Sequence, residues 1–321
     1  MDAHTTVTDT CPICGNRRDN RGHRTFEMMF GTREPFSYLE CGACGALSLC
    51  DPPDDLSPYY PSGYYSYEEH RPPARSLGRL VRRLRTELLL HGGRPLFERA
   101  TRWRAPAFVD WMEGLSVSTT SRIVDIGSGS GRILLELADE GFVRLLGTDP
   151  YLPQDRSYGP VKVLRLEFSA LRGRFDLVML HHSFEHMAAP GAVLGRLGEL
   201  LAPRGAILIR VPVADSFAWD EYGTDWVGLD PPRHLHVHTR RSIALLADRA
   251  GLVVRRVFHD SWALQFWGSE LYRRGIPLRP ACERLELVFA QEELDAWEER
   301  SQELNARGEG DAAGFLLQRR P

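Results

Sequence analysis

Four cysteines, at positions 11, 14, 41 and 44, form two C-x-x-C-G runs, "CPICG" and "CGACG", with 26 residues between Cys14 and Cys41. Each run reads as a tight turn that presents two thiolates. Paired spacings of this kind in an intracellular chain point to a metal before they point to disulfides. Cys11, Cys14, Cys41 and Cys44 together suit tetrahedral zinc, and a full thiolate shell leaves no open position, so the metal is expected to be structural. A region this short buries little core, and metal binding supplies its folding free energy.

A second chemical signal is "VDIGSGSGRILLELADEGFVRLLGTDP", residues 124–150. An apolar run stops at Asp125. Gly127, Gly129 and Gly131 follow, then a helical pattern, then a second apolar run that stops at Asp149. Alternate glycines let a backbone approach a ligand closely. A pyrophosphate-binding turn requires G-x-G-x-x-G. Here the last position of that pattern is Arg132 counted from Gly127, or Leu134 counted from Gly129. Asp125 also sits where a pyrophosphate would be repelled and a cation welcomed. Asp149, 20 residues beyond Gly129, is placed to accept both hydroxyls of a ribose. The ligand these residues describe is a nucleoside carrying an amino or sulfonium group, and S-adenosylmethionine meets that description.

Two histidine clusters complete the list. "HHSFEH" holds His181, His182, Glu185 and His186, and "RHLHVHT" holds His234, His236 and His238. A histidine is the usual base near neutral pH, so each cluster is a candidate for accepting a proton from a methyl acceptor. Glu185 and His186 read either as a buried pair bracing the next helix or as part of a second metal site. His234, His236 and His238 alternate, so on a strand they would share one face, and three imidazoles can hold zinc or iron. That run lies beside a turn and has no carboxylate partner close by in sequence.

The elements that must carry these residues are legible from periodicity. Strands are expected at 123–125, 143–148, 161–166, 175–181, 206–211, 253–260 and 314–319, and helices at 131–140, 190–201 and 240–250. Such alternation implies a parallel sheet covered by helices on both faces. Upstream, "SLGRLVRRLRTELLL" places Leu77, Leu80, Val81, Leu84 and Leu88 at helical spacing, with Arg79, Arg82, Arg83 and Arg85 on the other face. The apolar face is expected to dock and the arginine face to be solvated. A further helix is expected over 105–115. The proline- and tyrosine-rich stretch with Tyr59, Tyr60, Tyr64, Tyr65 and Tyr67 reads as a linker or ordered loop. Trp219, Tyr222 and Trp226, and then Trp262, Phe266 and Trp267, are expected to divide between core and the walls of a substrate pocket.

Composition narrows the function classes. The net charge of −3 argues against a generic nucleic-acid binder. Lys162 is the only lysine, a bias in line with GC-rich coding. No run approaches a membrane span, and no secretory signal is visible, which makes the cytoplasm the expected location.

The D-x-G-x-G-x-G turn, the acid that ends the second strand and "FDLVMLHHSFEHM" resemble the class I S-adenosylmethionine-dependent methyltransferases. "LLAPRGAILIRVPV", "DPPRHLHVHTRRSIALLADRAGL" and the tail "LNARGEGDAAGFLLQR", with the leading four cysteines, are similar to a branch found in polysaccharide and natural-product pathways. That branch includes the zinc-carrying C-methyltransferases of deoxysugar synthesis. The resemblance implies an α/β fold, a doubly wound Rossmann-like sheet of seven strands, with a zinc-binding module over 1–60, a linker with docking helices over 61–115 and the methyltransferase domain over 116–321. It implies that Gly127, Gly129 and Gly131 line the methionine part of S-adenosyl-L-methionine and that Asp125 holds its amino end. Asp149 would bind the ribose, Glu167 and Phe168 would contact the adenine, and His181 and His182 would lie beside the sulfonium. It places the catalytic base first at His234, with His182 and His181 as the other candidates. The family's acid before that histidine is replaced here by Arg233, and the aromatic before Thr239 is His238.

The expected acceptor is a sugar, a nucleotide sugar or a secondary metabolite. Three other readings compete. One is an RNA methyltransferase gripping nucleic acid through Arg17, Arg18, Arg21 and Arg24. Another is a non-catalytic cofactor-binding or zinc scaffold. The third, an NAD oxidoreductase, is opposed by Arg132.

Overall fold

The structure is a computed structural model that describes residues 10–61, 78–102, 104–282 and 284–320. Tyr64, Tyr65, Tyr67 and Leu77 lie outside the described residues, as does the side chain of Arg79. The chain divides into two compact units. The first comprises Met1–Pro61, Phe184–Leu194 and Arg210–Phe315, and the second comprises Ser62–Ser183, Gly195–Ile209 and Leu316–Pro321.

Three short strands open the first unit: β1 (Arg21–Phe26), β2 (Pro35–Glu40) and β3 (Leu47–Leu49). In the second unit, α1 (Gly78–Leu88), α2 (Arg94–Thr101) and α3 (Ala107–Met112) precede β4 (Ile123–Ile126), α4 (Arg132–Asp139) and β5 (Leu145–Thr148). Then come β6 (Arg156–Tyr158), β7 (Val161–Leu164) and β8 (Phe175–His181). Helix α5 (Pro190–Leu200) leads into β9 (Leu201–Pro212). The rest of the chain gives α6 (Phe217–Tyr222), β10 (His236–Val237), α7 (Arg240–Arg249), β11 (Leu252–His259), α8 (Leu264–Arg273), α9 (Leu278–Cys282), α10 (Gln291–Arg307) and β12 (Ala312–Arg319).

One sheet has the order β11-β12-β9-β8-β4-β5-β7-β6. It carries the seven expected strands plus β6, which pairs antiparallel with β7. The inner strands read as apolar runs because parallel strands are covered on both faces. All four residues of β4 are buried, as are six of the seven in β8. Strand β4 pairs in parallel with β5 on one side and β8 on the other, which puts Asp125 opposite Gly147 and Met179. The connection order reverses at β4, between β5 and β8. Ligands of doubly wound sheets sit beyond the strand ends at such a point. Leu134, Leu135, Leu137 and Ala138 bury one face of α4.

A second sheet, β1-β2-β3-β10, belongs to the first unit. Strand β10 comes from the histidine-rich segment and pairs antiparallel with β3, His236 opposite Ser48. The alternation of His234, His236 and His238 suggests an extended run here, and the structure keeps only His236–Val237 of it as a strand.

Helix α1 is turned the opposite way from the expectation. Leu80, Val81, Leu84 and Leu88 are 53–68% exposed. Arg82, Arg83 and Arg85 face the protein. Arg82 donates to the Asp139 carbonyl oxygen at 2.7 Å, Arg83 donates to Thr119 Oγ1 at 3.0 Å, and Arg85 pairs with Glu140. The C-terminal carbonyls of α4 and the acid that follows it are partners for guanidinium groups, because a helix C-terminus carries partial negative charge. Among the described residues no helix is long and apolar enough to cross a membrane.

This orientation predicts that Leu84→Glu leaves the thermal unfolding free energy within about 0.5 kcal/mol of wild type. Arg85→Ala is expected to lower it by up to about 1 kcal/mol. Thermal melts compare the two, and a larger loss at Leu84 than at Arg85 would put the apolar face inside.

Candidate functional site

The glycine turn follows β4 directly. Gly127, Gly129 and Gly131 have φ of 71°, 52° and 89°, left-handed values open to glycine. Gly127 has no room for a side chain either, since a Cβ there would lie 2.5 Å from Ser183 Cβ. Ser183 holds the base of the turn by donating to the Ile126 carbonyl oxygen at 2.7 Å. The amides of Gly127 and Ser128 donate to the Thr148 carbonyl oxygen at 2.8 and 3.2 Å, tying the turn to the end of β5.

Asp149 closes the same network. Its Oδ2 accepts from the Gly129 amide at 3.0 Å and its Oδ1 from the Tyr151 amide at 2.9 Å. These bonds fix the carboxylate and leave each oxygen a further lone pair to offer a ligand. Asp125 is nearly fully buried, and among the described residues its Oδ1 has no hydrogen-bond partner; the Thr148 hydroxyl is likewise buried and has none among them. Burial, with Asp149 close by, pushes the Asp125 carboxyl well above the usual carboxylate range. Burial also raises Asp149, against the two amide bonds that lower it, and the charge of Glu167 adds to the rise. Two raised carboxyls and an orphaned acceptor beside an open glycine backbone fit a cationic nucleoside. They do not fit a pyrophosphate, which would meet two acids.

Glu167 is exposed and begins the short turn Phe168–Ala170, with Phe168 half-buried. His181 ends β8, buried with its ring 4.9 Å from that of Trp111. His182 is exposed with φ of 51°, an uncommon backbone for a residue with a side chain. All these residues, from Asp125 to Ser183, lie in the second unit.

The cysteines converge in the first unit. The four Sγ atoms lie within 4.8 Å of one another, with Cys11–Cys44 at 3.8 Å and Cys14–Cys41 at 3.5 Å. Tetrahedral zinc with bonds of about 2.3 Å separates its sulfurs by about 3.8 Å. The two turns share a pattern. The Gly15 amide donates to the Cys11 carbonyl oxygen at 2.9 Å and the Gly45 amide to that of Cys41 at 2.8 Å. The Ala43 and Cys44 amides point at Cys41 Sγ, each at 3.4 Å. Thr239 joins this centre to α7. Its hydroxyl donates to the Cys44 carbonyl oxygen at 2.6 Å and accepts from the Ser242 amide at the helix start.

The histidine run after β9 does not converge. His236 bonds Ser48 Oγ and the Ala188 carbonyl oxygen, at 3.0 and 3.3 Å. His238 bonds Ser242 Oγ and stacks on Phe184, and burial drives its pKa down to about 3. Both therefore have structural roles. His234 instead approaches Glu185 and His186, the second group among the described residues whose ligand atoms lie within 4.8 Å of one another. His234 Nδ1 donates to the Gly228 carbonyl oxygen at 2.9 Å, and its Nε2 lies 3.8 Å from Glu185 Oε1 and 3.9 Å from Asp230 Oδ2. The sequence reading missed the groups beneath it. Arg233, fully buried, pairs with Glu27 and Asp230. Glu27 is 206 residues away and accepts the amides of Phe30, Gly31 and Thr32. No local pattern could have linked them. Of the aromatics expected to divide between core and pocket walls, Trp226 is core, with Nε1 bonded to Asp311 at 2.9 Å. Tyr222, Phe266 and Trp267 are also buried, whereas Trp262 is exposed.

A methyltransferase domain family matches residues 67–257, which take in the glycine turn, both acids and both histidine clusters. The chain belongs to this family. It is a class I S-adenosylmethionine-dependent methyltransferase. A ubiquinone biosynthesis O-methyltransferase of Rhodopseudomonas palustris is 28% identical over 180 residues, covering 47% of this chain and 69% of that one. EEF1A lysine methyltransferase 2 of Danio rerio is 46% identical over 41 residues, 13% of this chain and 18% of that one. Among solved structures, a mycolic acid cyclopropane synthase complexed with SAH and CTAB aligns at 15% identity and a TM-score of 0.42, over 64% of this chain and 80% of that one.

Two predictions follow from this geometry for the methyltransferase. A carboxyl raised in the folded state contributes stability below its unfolded value and loses it as pH rises through the raised value. Asp125→Asn is therefore expected to melt above the cofactor-free wild type at neutral pH, the gap closing as pH falls toward the ordinary value of 3.8. A variant that melts lower at every pH would show that Asp125 stabilises the fold. Cys11→Ser is expected to lower the metal carried per chain by about one equivalent, since thiolate ligands supply the binding. Unchanged metal content by plasma mass spectrometry would remove Cys11 from the ligand set.

Proposed function

We propose that this methyltransferase modifies a small molecule, a sugar, nucleotide sugar or secondary metabolite, in the cytoplasm. The observation that carries the cofactor assignment is the buried pair Asp125 and Asp149 around the glycine turn. S-adenosylmethionine supplies the chemistry when bound, a methyl group already activated on a sulfonium. Asp125 takes the amino end and Asp149 the ribose hydroxyls, while Gly127, Gly129 and Gly131 allow the backbone to approach. Glu167 and Phe168 border the adenine. The protein's further task is alignment and removal of a proton from the acceptor.

For the base we assign His182, with His181 beside it. His182 is solvent-facing at the C-terminal end of β8, one residue before the serine that supports Gly127. Its left-handed backbone is the kind of strain that a site retains for positioning. His234, the position aligned with the family's base, has its second nitrogen turned toward two carboxylates instead. Cys11, Cys14, Cys41 and Cys44 hold a structural zinc. A small acceptor is supported by the similarity to an O-methyltransferase of ubiquinone biosynthesis.

The test pairs binding with turnover. Asp149→Ala is expected to weaken S-adenosylmethionine binding by up to about 3 kcal/mol, the value of one or two charge-assisted bonds. His182→Ala is expected to preserve binding and abolish most methyl transfer to the acceptor found by screening metabolite extracts with labelled cofactor. Full affinity in Asp149→Ala would remove it from the site, and full turnover in His182→Ala would remove the base.

A further inference from the structure

We propose that Glu185, His186 and His234 form a second metal site, separate from the cysteines, which takes a divalent first-row transition ion. One ligand atom from each lies within 4.8 Å of the others, and the two imidazole centroids are 5.0 Å apart. Two imidazoles and one carboxylate are a donor set that suits zinc, manganese or iron(II) and leaves coordination positions open.

Both imidazoles are held in one tautomer by backbone carbonyls. His186 Nδ1 donates to the Arg233 carbonyl oxygen at 2.6 Å, and His234 Nδ1 donates to that of Gly228 at 2.9 Å. Each therefore keeps its lone pair on Nε2. A carbonyl accepting the other ring N–H is the usual support of a metal-bound histidine, since it orients the ring and raises its basicity.

The charge balance around these rings points the same way. Glu27, Glu185 and Asp230 bring three carboxylates to the region of Arg233 and His234, and the side chains of Glu27, Glu185 and Arg233 are fully buried. Arg233 is committed to Glu27 at 3.0 Å and Asp230 at 2.5 Å. With Nδ1 donating to the Gly228 carbonyl oxygen, His234 turns Nε2 toward Glu185 Oε1 and Asp230 Oδ2 across 3.8 and 3.9 Å. An ion among them would meet an imidazole nitrogen and carboxylate oxygens as ligands. Buried charges are otherwise retained where they are paired or bind metal.

The test uses the full chain and two independent metals. As purified, wild type is expected to carry about two metal equivalents by plasma mass spectrometry. Glu185→Gln and His234→Gln are each expected to lose one, while Cys11→Ser loses the other. Manganese(II) alone, added after dialysis, is expected to bind wild type at a single site by the loss of its free-ion paramagnetic resonance signal. Both Gln variants are expected to bind it at least tenfold more weakly. Cobalt(II) at that site is expected to give visible d–d bands without the thiolate charge-transfer absorption of the cysteine centre. Cooperative melting qualifies each variant, and the two substitutions on different elements serve as controls for one another. Wild type that binds neither ion outside the cysteines would overturn the proposal. So would undiminished binding in both folded Gln variants.

Discussion

The constraint on which the second unit depends is the burial of two carboxylates at adjoining strand ends. Asp125 and Asp149 are withdrawn from water, and burial is the leading reason that both carboxyls are raised. Isolated buried anions cost several kcal/mol unless something compensates. Asp149 receives two amide hydrogens, but Asp125 Oδ1 receives none among the described residues. The surrounding structure serves this arrangement. The turn must be glycine because its backbone is left-handed and because Ser183 packs where a Cβ would go. The β4 register with β5 and β8 then sets Asp125 at the switch point.

The glycine turn and its acids were legible because their spacing is local and each strand ends where its apolar run ends. Helix α1 shows the limit of periodicity. The pattern separates a leucine face from an arginine face but does not say which lies inside, and the partners that decide it, Thr119, Asp139 and Glu140, come from later elements. Strand β6 has three residues, too few to display alternation, and β10 keeps only two residues of the alternating histidine run. The seven other strands of the large sheet were legible because each runs through four or more mostly apolar residues.

The cysteine spacing was legible too, and the structure adds what the spacing cannot show. Residues 236–239 give the four-stranded sheet an edge strand, pack His238 on Phe184 and tie Thr239 to Cys44. A run of alternating histidines therefore divides into separate tasks. His236 and His238 are hydrogen-bonded structural residues, whereas His234 turns to Glu185 and His186. Alternation describes one face of an extended strand, but β10 covers only His236–Val237, so His234 is not held to that face.

Calorimetric titration of the purified chain with S-adenosylmethionine and, separately, with NAD tests most directly the claim that the crevice neutralises a cationic nucleoside. The account predicts saturable binding of the first and none of the second. Binding of NAD with no heat from S-adenosylmethionine would contradict it.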